Sequence, residues 1–342
     1  MRAGRSVSAH RPSRRDDPSG RIGSGSVPEN QGERVVAVVV AYNRAELLVE
    51  VLDALHAQTA PCGIVVIDNA SDDDTIEIVR RTAPEAHLVH LPRNTGGAGG
   101  FAVGAAVALA REDPDLVWFM DDDTVPTPTA LAELLEARRR HRVPLALLAS
   151  RVVWTDGADH PMNLPRPRPL DGRRRREAQD AGLVAVRSAS FVSQLVDTRA
   201  LRHHGLPIAD YFIWNDDFEF STRLLRRASG VSVPGSVVVH KTKALASTDA
   251  DPGERFYFEV RNKIWLFTRG RTLGPVETLL YGASTLRRWI RTFARSSDRA
   301  VLRRGMLRGV RDGVSRGPRS NADSLADLMP IVPELAVAPE GR

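Results

Sequence analysis

The chain has 342 residues, of which 42% are hydrophobic and 26% charged, enough apolar material to bury a proper core. Its one cysteine, Cys62, excludes an intramolecular disulfide and a Cys-rich zinc site, and no stretch approaches the ~20 uncharged apolar residues of a membrane span. A net charge of +6 and a pI near 10.0 point towards a polyanionic partner, and the arginines crowd towards the two ends of the chain.

Residues 1–33 hold Arg, Ser, Gly and Pro with almost nothing to bury. They read as a disordered tail, with an extended start as the bland alternative, and lack the apolar core of a signal peptide. Residues 34–41 form a continuous β-branched run that suits a strand buried on both faces. Residues 45–58 carry apolar side chains at helical spacing, and 63–67 form a second buried strand ended by Asp68-Asn69-Ala70-Ser71. A helix is expected over 72–81, with its acids in the first turn, a third strand over 87–91, and a small-residue helix over 99–111. The fourth strand, 116–120, runs straight into Asp121-Asp122-Asp123. Strand and helix alternating at this rhythm predict a doubly wound α/β domain, whose ligands bind beyond the carboxyl ends of the strands. The polar clusters at 42–44, 68–69, 94–100 and 121–123 all fall on that edge. Beyond it the pattern predicts a helix over 129–140, a Pro- and Arg-rich loop over 161–180, and alternation over 182–196. A helix lies within 211–227, a strand over 232–240, and helices over 256–270 and 278–314.

Several of these clusters carry chemistry. Alternate residues of an extended chain share a face, so Asp121 and Asp123 can hold one divalent cation. Hard oxygen ligands suit Mg²⁺ or Mn²⁺, which would bind a diphosphate, whereas the bland reading is a solvated acidic turn. Residues 94–101, Asn-Thr-Gly-Gly-Ala-Gly-Gly-Phe, allow close backbone approach and a helix start where phosphate can sit. A turn needed only for packing is the alternative there. No Gly-x-Gly-x-x-Gly follows the first strand, which disfavours a dinucleotide site. Asp68 could accept a hydrogen bond from a pyrimidine N3–H, or serve as a helix N-cap. Trp214 offers a flat face for a sugar ring, and the acids at 216, 217 and 219 could be desolvated into general-base range, or simply begin a helix. His240 ends a strand and is a candidate third ligand for a site that otherwise has only two.

The runs Val38–Arg44, Val66–Ser71, Asn94–Gly97 and Phe119–Asp123 resemble family 2 glycosyltransferases of GT-A fold, over about residues 34–269. Residues 94–101 and 214–219 look most like actinobacterial galactofuranosyltransferases, with rhamnosyltransferases as close relatives. The resemblance implies an α/β fold with a mixed, mostly parallel sheet flanked by helices and a C-terminal helical extension. It implies a UDP- or dTDP-sugar donor, a polyprenyl-diphosphate-linked glycan acceptor and a divalent metal. Asp121, Asp123 and His240 match its metal group and Asp217 its catalytic base. Asp68 matches the contact to the base, while Tyr42, Arg44, Asn94, Gly97 and Asp122 fall in the nucleotide-binding loops. Trp214 and Asp216 fall beside the acceptor, although Asn215 here separates the tryptophan from the acid pair. The chain then divides into a tail (1–33), a transferase domain (34–270), a basic amphipathic helical region (271–316) and a second tail (317–342). Arginines at 287, 291, 295, 299 and 303 recur every four residues among aromatics. They suit an anionic membrane surface, hence a peripheral position on the inner face of the plasma membrane, or a solvated helix packed on the domain. A basic nucleic-acid-binding protein is a reading of another class, which the acidic triplet opposes, and no nucleic-acid motif is visible.

Overall fold

The computed structural model describes residues 32–168, 171–242, 251–270 and 272–340. Segment 1–33, expected as a tail, lies almost wholly outside them. Strand β1 (Val35–Ala41) is buried along its whole length. It pairs in parallel with β2 (Gly63–Asp68) and β4 (Leu116–Asp121), while β3 (His87–His90) extends the parallel set beyond β2. Helices α1 (Ala45–His56), α2 (Thr75–Thr82) and α3 (Gly96–Arg111) make the crossovers. The small residues of α3 let it lie directly on β1: a Cβ on Gly104 would fall 2.3 Å from Val38 Cγ1, and one on Gly100 2.5 Å from Val40 Cγ1.

Past β4 the sheet changes character. A short β5 (Thr124–Pro126) and α4 (Ala130–Arg140) lead to β6 (Leu145–Val153), a strand absent from the expected elements. Strand β7 (Arg166–Pro167) and α5 (Gly172–Asp180) occupy the stretch expected to be a loop, with the Asp171 side chain capping α5 through Arg174 N–H. Then come β8 (Val184–Ser188), β9 (Gln194–Asp197), α6 (Thr198–His204), α7 (Asp216–Leu224) and β10 (Ser229–His240). The sheet order is β3-β2-β1-β4-β9-β6-β10-β8-β7, with β5 pairing β10. Strand β9 enters antiparallel between β4 and β6, so apart from the parallel pair β6–β10 this half is antiparallel. The parallel expectation therefore holds for β1–β4, where helical crossovers return the chain to the same edge.

Helix α8 (Phe256–Thr268) crosses behind the site, followed by α9 (Pro275–Arg295) and α10 (Arg299–Ser315). The expected single helix over 278–314 is thus two. Asp298 breaks it by capping α10 through Ala300 and Val301 N–H, and the arginines at 287, 291, 295, 299 and 303 are divided between them. Helix α10 packs on α8 through Gly305, Gly309 and Gly313. Residues 317–340 correct the expectation of a second tail. Leu325, Leu328, Val332 and Leu335 join the main core, Arg111 pairs with Glu334 at 2.6 Å, and Arg93 pairs with Asp327 at 2.7 Å. No helix among the described residues is long and apolar enough to cross a membrane.

One glycine fixes how the sheet edge meets the second half. Gly96 has φ +70°, and a Cβ there would lie 2.0 Å from the Phe212 carbonyl oxygen. Gly96→Ala combines a left-handed backbone with a clash against main chain, so a loss of about 3 kcal/mol is expected. Urea unfolding of the variant measures it.

Candidate active site

Four chain segments deliver the polar groups. Strand β4 carries Asp121 to its carboxyl end, and the following turn directs Asp122 and Asp123 to different partners. Asp123 and Asp121 face His240, the last residue of β10. One ligand atom from each of these three lies within 4.8 Å of the others. Asp123 Oδ1 approaches His240 Nε2 at 3.1 Å without the alignment of a hydrogen bond, and this buried oxygen has no other partner. A buried, unsatisfied carboxylate oxygen facing an imidazole nitrogen and a second carboxylate is a donor set that fits a divalent cation. This group could hold a metal ion.

The orientation of His240 has a cause that the sequence hid. Its Nδ1 donates to Asn163 Oδ1 at 2.9 Å, and Asn163 Nδ2 in turn donates to Ser190 Oγ at 3.2 Å. That bond turns Nε2 towards the acids. Asn163→Leu is expected to weaken Mn²⁺ binding by about 10–100-fold, and Asn163→Asp, which keeps an acceptor, to weaken it less. Titration of the full chain with Mn²⁺, followed by electron paramagnetic resonance, separates the two.

The charges of the triplet differ sharply. Burial, reinforced by the charge of Asp123, raises Asp121 to about 6. Burial raises Asp122 to about 7 against the pull of Arg44 and the Tyr42 N–H. Burial acts on Asp123 in the same sense, yet His240 and Arg44 outweigh it and hold that carboxyl below its ordinary value. Burial opposes the charge on His240, but Asp123 and Asp121 raise its pKa nonetheless.

Several of the residues expected in the nucleotide-binding loops build those loops. Asp122 accepts from Tyr42 N–H at 2.8 Å and pairs with Arg44 at 3.2 Å, while Arg44 also contacts Asp123. Asp122 thereby ties the β1 loop to the metal group and does not face the cavity. Asn94 Oδ1 accepts from Gly96 N–H at 2.7 Å and forms the turn into α3. Asn69, beside it, binds Thr95 N–H at 2.8 Å and the Gly96 carbonyl at 3.0 Å. Asp68 is fully buried and caps no helix: it accepts from Ser71 N–H at 3.0 Å and meets His90 Nδ1 at 2.7 Å.

Asp216 and Asp217 open α7. Burial, then the neighbouring Asp217 charge, push Asp216 well above the ordinary carboxylate value. Burial also raises Asp217, against the Phe218 N–H at 2.6 Å and the cations Arg166 and Lys263. The loop before them is strained: Phe212, Trp214 and Asn215 all have positive φ, at 63°, 66° and 63°. Such non-glycine conformations cost about 1–3 kcal/mol each and persist only where neighbours over-determine them. Here Asn262 on α8, fully buried, donates to the carbonyls of Tyr211, Ile213 and Trp214 at 2.9, 3.0 and 2.7 Å. Arg261 binds the Asp210 and Tyr211 carbonyls, and Asn215 reaches Glu259 at 2.8 Å.

These groups converge on one cavity of about 560 Å³, lined by Gly97, Asp121, Trp214, Asp216, Asp217 and His240 among others. Tyr42 and Arg44 after β1, Asp68 at the end of β2 and Asn94 between β3 and α3 do not line it. The cavity continues to Arg255, just before α8, and to Arg288 and Trp289 on α9.

Comparison with known proteins agrees with this geometry. The pattern of Glycosyl transferase family 2 matches residues 36–197. The chain is 30% identical to galactofuranosyltransferase GlfT1 of Mycolicibacterium smegmatis over 295 residues, 76% of this chain and 95% of that protein. Its fold is similar to that of S. aureus TarS, with a TM-score of 0.58 at 17% identity over 89% of this chain and 53% of that one. A complex of TarS 1–349 with UDP gives a TM-score of 0.52 at 19% identity, over 77% and 72% of the two chains. A carboxylate-lined cavity at the carboxyl edge of a GT-A sheet is thus joined to a matching family pattern and a near full-length relative: the chain is a nucleotide-sugar-dependent glycosyltransferase and belongs to family 2.

Proposed function

We propose that the protein is an inverting, metal-dependent galactofuranosyltransferase that uses UDP-galactofuranose and a hydroxyl of a lipid-linked cell-wall glycan. The observation that carries this reading is that Asp121 and His240, which cluster with the buried Asp123, line the same cavity as Asp216 and Asp217. The identity to a galactofuranosyltransferase over nearly its whole length supports the choice of sugar.

Asp121, Asp123 and His240 would hold Mn²⁺ or Mg²⁺, which when bound neutralises charge on a diphosphate leaving group. Asp217, its affinity for a proton raised by burial, accepts the proton of the acceptor hydroxyl as that oxygen attacks the anomeric carbon. The Asn262 clamp fixes the loop that presents Asp217 and Trp214, so the base is positioned before substrate arrives. Trp214 with Asp216 lies on the acceptor side of the cavity. One displacement from the face opposite the diphosphate inverts the anomeric centre. Nuclear magnetic resonance of the product tests this: an inverted linkage is expected, and a retained one would overturn the single-displacement mechanism.

The surface supports a membrane-bound acceptor. Helix α9 exposes Val276, Leu279, Leu280, Leu286 and Ile290, with Leu279 73% exposed. Its one acid, Glu277, turns inward to Arg187 at 2.7 Å. Between Pro275 and Arg316 lie ten arginines and three acids, a local +7 against +6 for the whole chain. Such an apolar stripe within a basic segment suits peripheral binding to anionic lipid on the cytoplasmic face.

A further inference from the structure

Beside the proposed base, the cavity wall carries two cations that the mechanism above does not use. Lys263 projects from α8 and is only 6% exposed, yet it lines the cavity. Among the described residues it donates no hydrogen bond and forms no ion pair. Its ammonium lies 4.8 Å from the centre of the Phe218 ring and 5.8 Å from that of Phe267. Arg166, on β7, lines the same cavity with its guanidinium 5.5 Å from the Phe218 ring and 5.7 Å from that of Tyr281. Among the described residues it too has no carboxylate partner within ion-pair distance. Phe218 follows the proposed base, so both cations flank the Asp217 side of the cavity.

Burying an ammonium without a partner is unfavourable, because its hydration is lost and ring faces replace only part of it. Burial lowers Lys263 to about 7, Arg166 adds to the lowering, and Asp217 opposes it. Asp217 is close enough to act through its charge but makes no ion pair with either cation. Two cations on the wall of one cavity, neither held in an ion pair among the described residues, with Arg255 and Arg288 lining the same space, match an anion that arrives with substrate.

We propose that Arg166 and Lys263 form a phosphate subsite separate from the Asp121–Asp123–His240 group, taking a phosphate of the acceptor. This rests on the transferase reading of the same cavity. A phosphate could equally come from the donor, and the two sources can be told apart with two probes on the full-length chain. Geranyl diphosphate without added metal reports the acceptor side, and UDP with Mn²⁺ reports the donor side. Calorimetric titration is expected to show geranyl diphosphate binding weakened at least tenfold in Lys263→Met and in Arg166→Met, with UDP–Mn²⁺ affinity within twofold of wild type. Arg166 is exposed, so its variant keeps the test valid even if Lys263→Met folds poorly. Loss confined to UDP–Mn²⁺ would assign the cations to the donor and overturn the acceptor assignment. Unchanged binding of both probes would overturn the subsite and leave Lys263 as a countercharge to Asp217. Because these are binding measurements, their failure is distinct from a failure to turn over a sugar nucleotide.

Discussion

Asp217→Asn is expected to lower the turnover number for transfer about a thousandfold while leaving donor affinity within a factor of two. The amide has the shape of the carboxyl but cannot accept the hydroxyl proton, and removal of a positioned base typically costs 10²–10⁴-fold, on the order of several kcal/mol of barrier. Asp217 is outside the metal group, so UDP–Mn²⁺ binding should persist. Stability should not fall either. Burial raises the carboxyl's pKa, so at neutral pH its ionised form is disfavoured in the fold and a neutral amide removes that penalty. Steady-state kinetics, donor titration and thermal melting on the same preparation check all three. A variant that loses donor binding and activity together would remove Asp217 from the role of base.

The second large effect concerns the metal group. Asp123→Asn is expected to abolish measurable Mn²⁺ binding and to reduce transfer by about a thousandfold or more, through loss of stabilised charge on the leaving group. The same acids make a prediction about the metal-free protein. Asp121 and Asp122 titrate in the fold at about 6 and about 7, above the ordinary value of 3.8. The folded state therefore binds more protons than the unfolded chain between about pH 4 and 7, and stability must fall as pH rises through that window. His240, whose pKa is raised, acts in the same sense on the alkaline side. Without metal the melting temperature should drop from pH 5 to pH 8, and Mn²⁺ should restore more of it at pH 8 than at pH 6. A metal-free protein whose stability rises across that range would contradict the charge state assigned to the triplet.

The parallel half of the fold was legible because its signals are local. The β-branched run at 35–41 can only be a strand buried on both faces, and the acids at 121–123 follow an apolar strand directly. The second half was not, for reasons that differ by element. Strand β6 lies within Leu145–Val153, an apolar run whose length fits strand or helix. Helix α5 is four arginines with few apolar residues, so no periodicity announced it, although Asp171 at its start was a readable cap. The break between α9 and α10 was also written, as Ser-Ser-Asp at 296–298, but the arginine spacing drew attention across it. Leu325, Leu328, Val332 and Leu335 recur at three- and four-residue intervals, a pattern of core residues within a segment expected to be a tail.

The site divides along the same line. Asp121, Asp123, His240, Asp216 and Asp217 could be named because each sits at the end of an element. Asn163, Asn262 and Lys263 could not, because what they do is set by partners 77, 48 and more residues away in sequence or on a different helix. Asn163 lies in a loop whose composition says nothing about His240. Lys263 offers a faint signal, a lone lysine in the aromatic run Phe256–Thr268, where an unpaired charge has no structural reason to be. Asp122, as the alternation of the triplet predicts, faces away from Asp121 and Asp123, and the turn after β4 points it at the β1 loop.

The most direct test of the central claim is donor use by purified protein with Mn²⁺ and a lipid-linked rhamnosyl acceptor. UDP release from UDP-galactofuranose, coupled to transfer and lost in Asp217→Asn, is the predicted result. Turnover of dTDP-rhamnose with none of UDP-galactofuranose would contradict it and make the protein a rhamnosyltransferase.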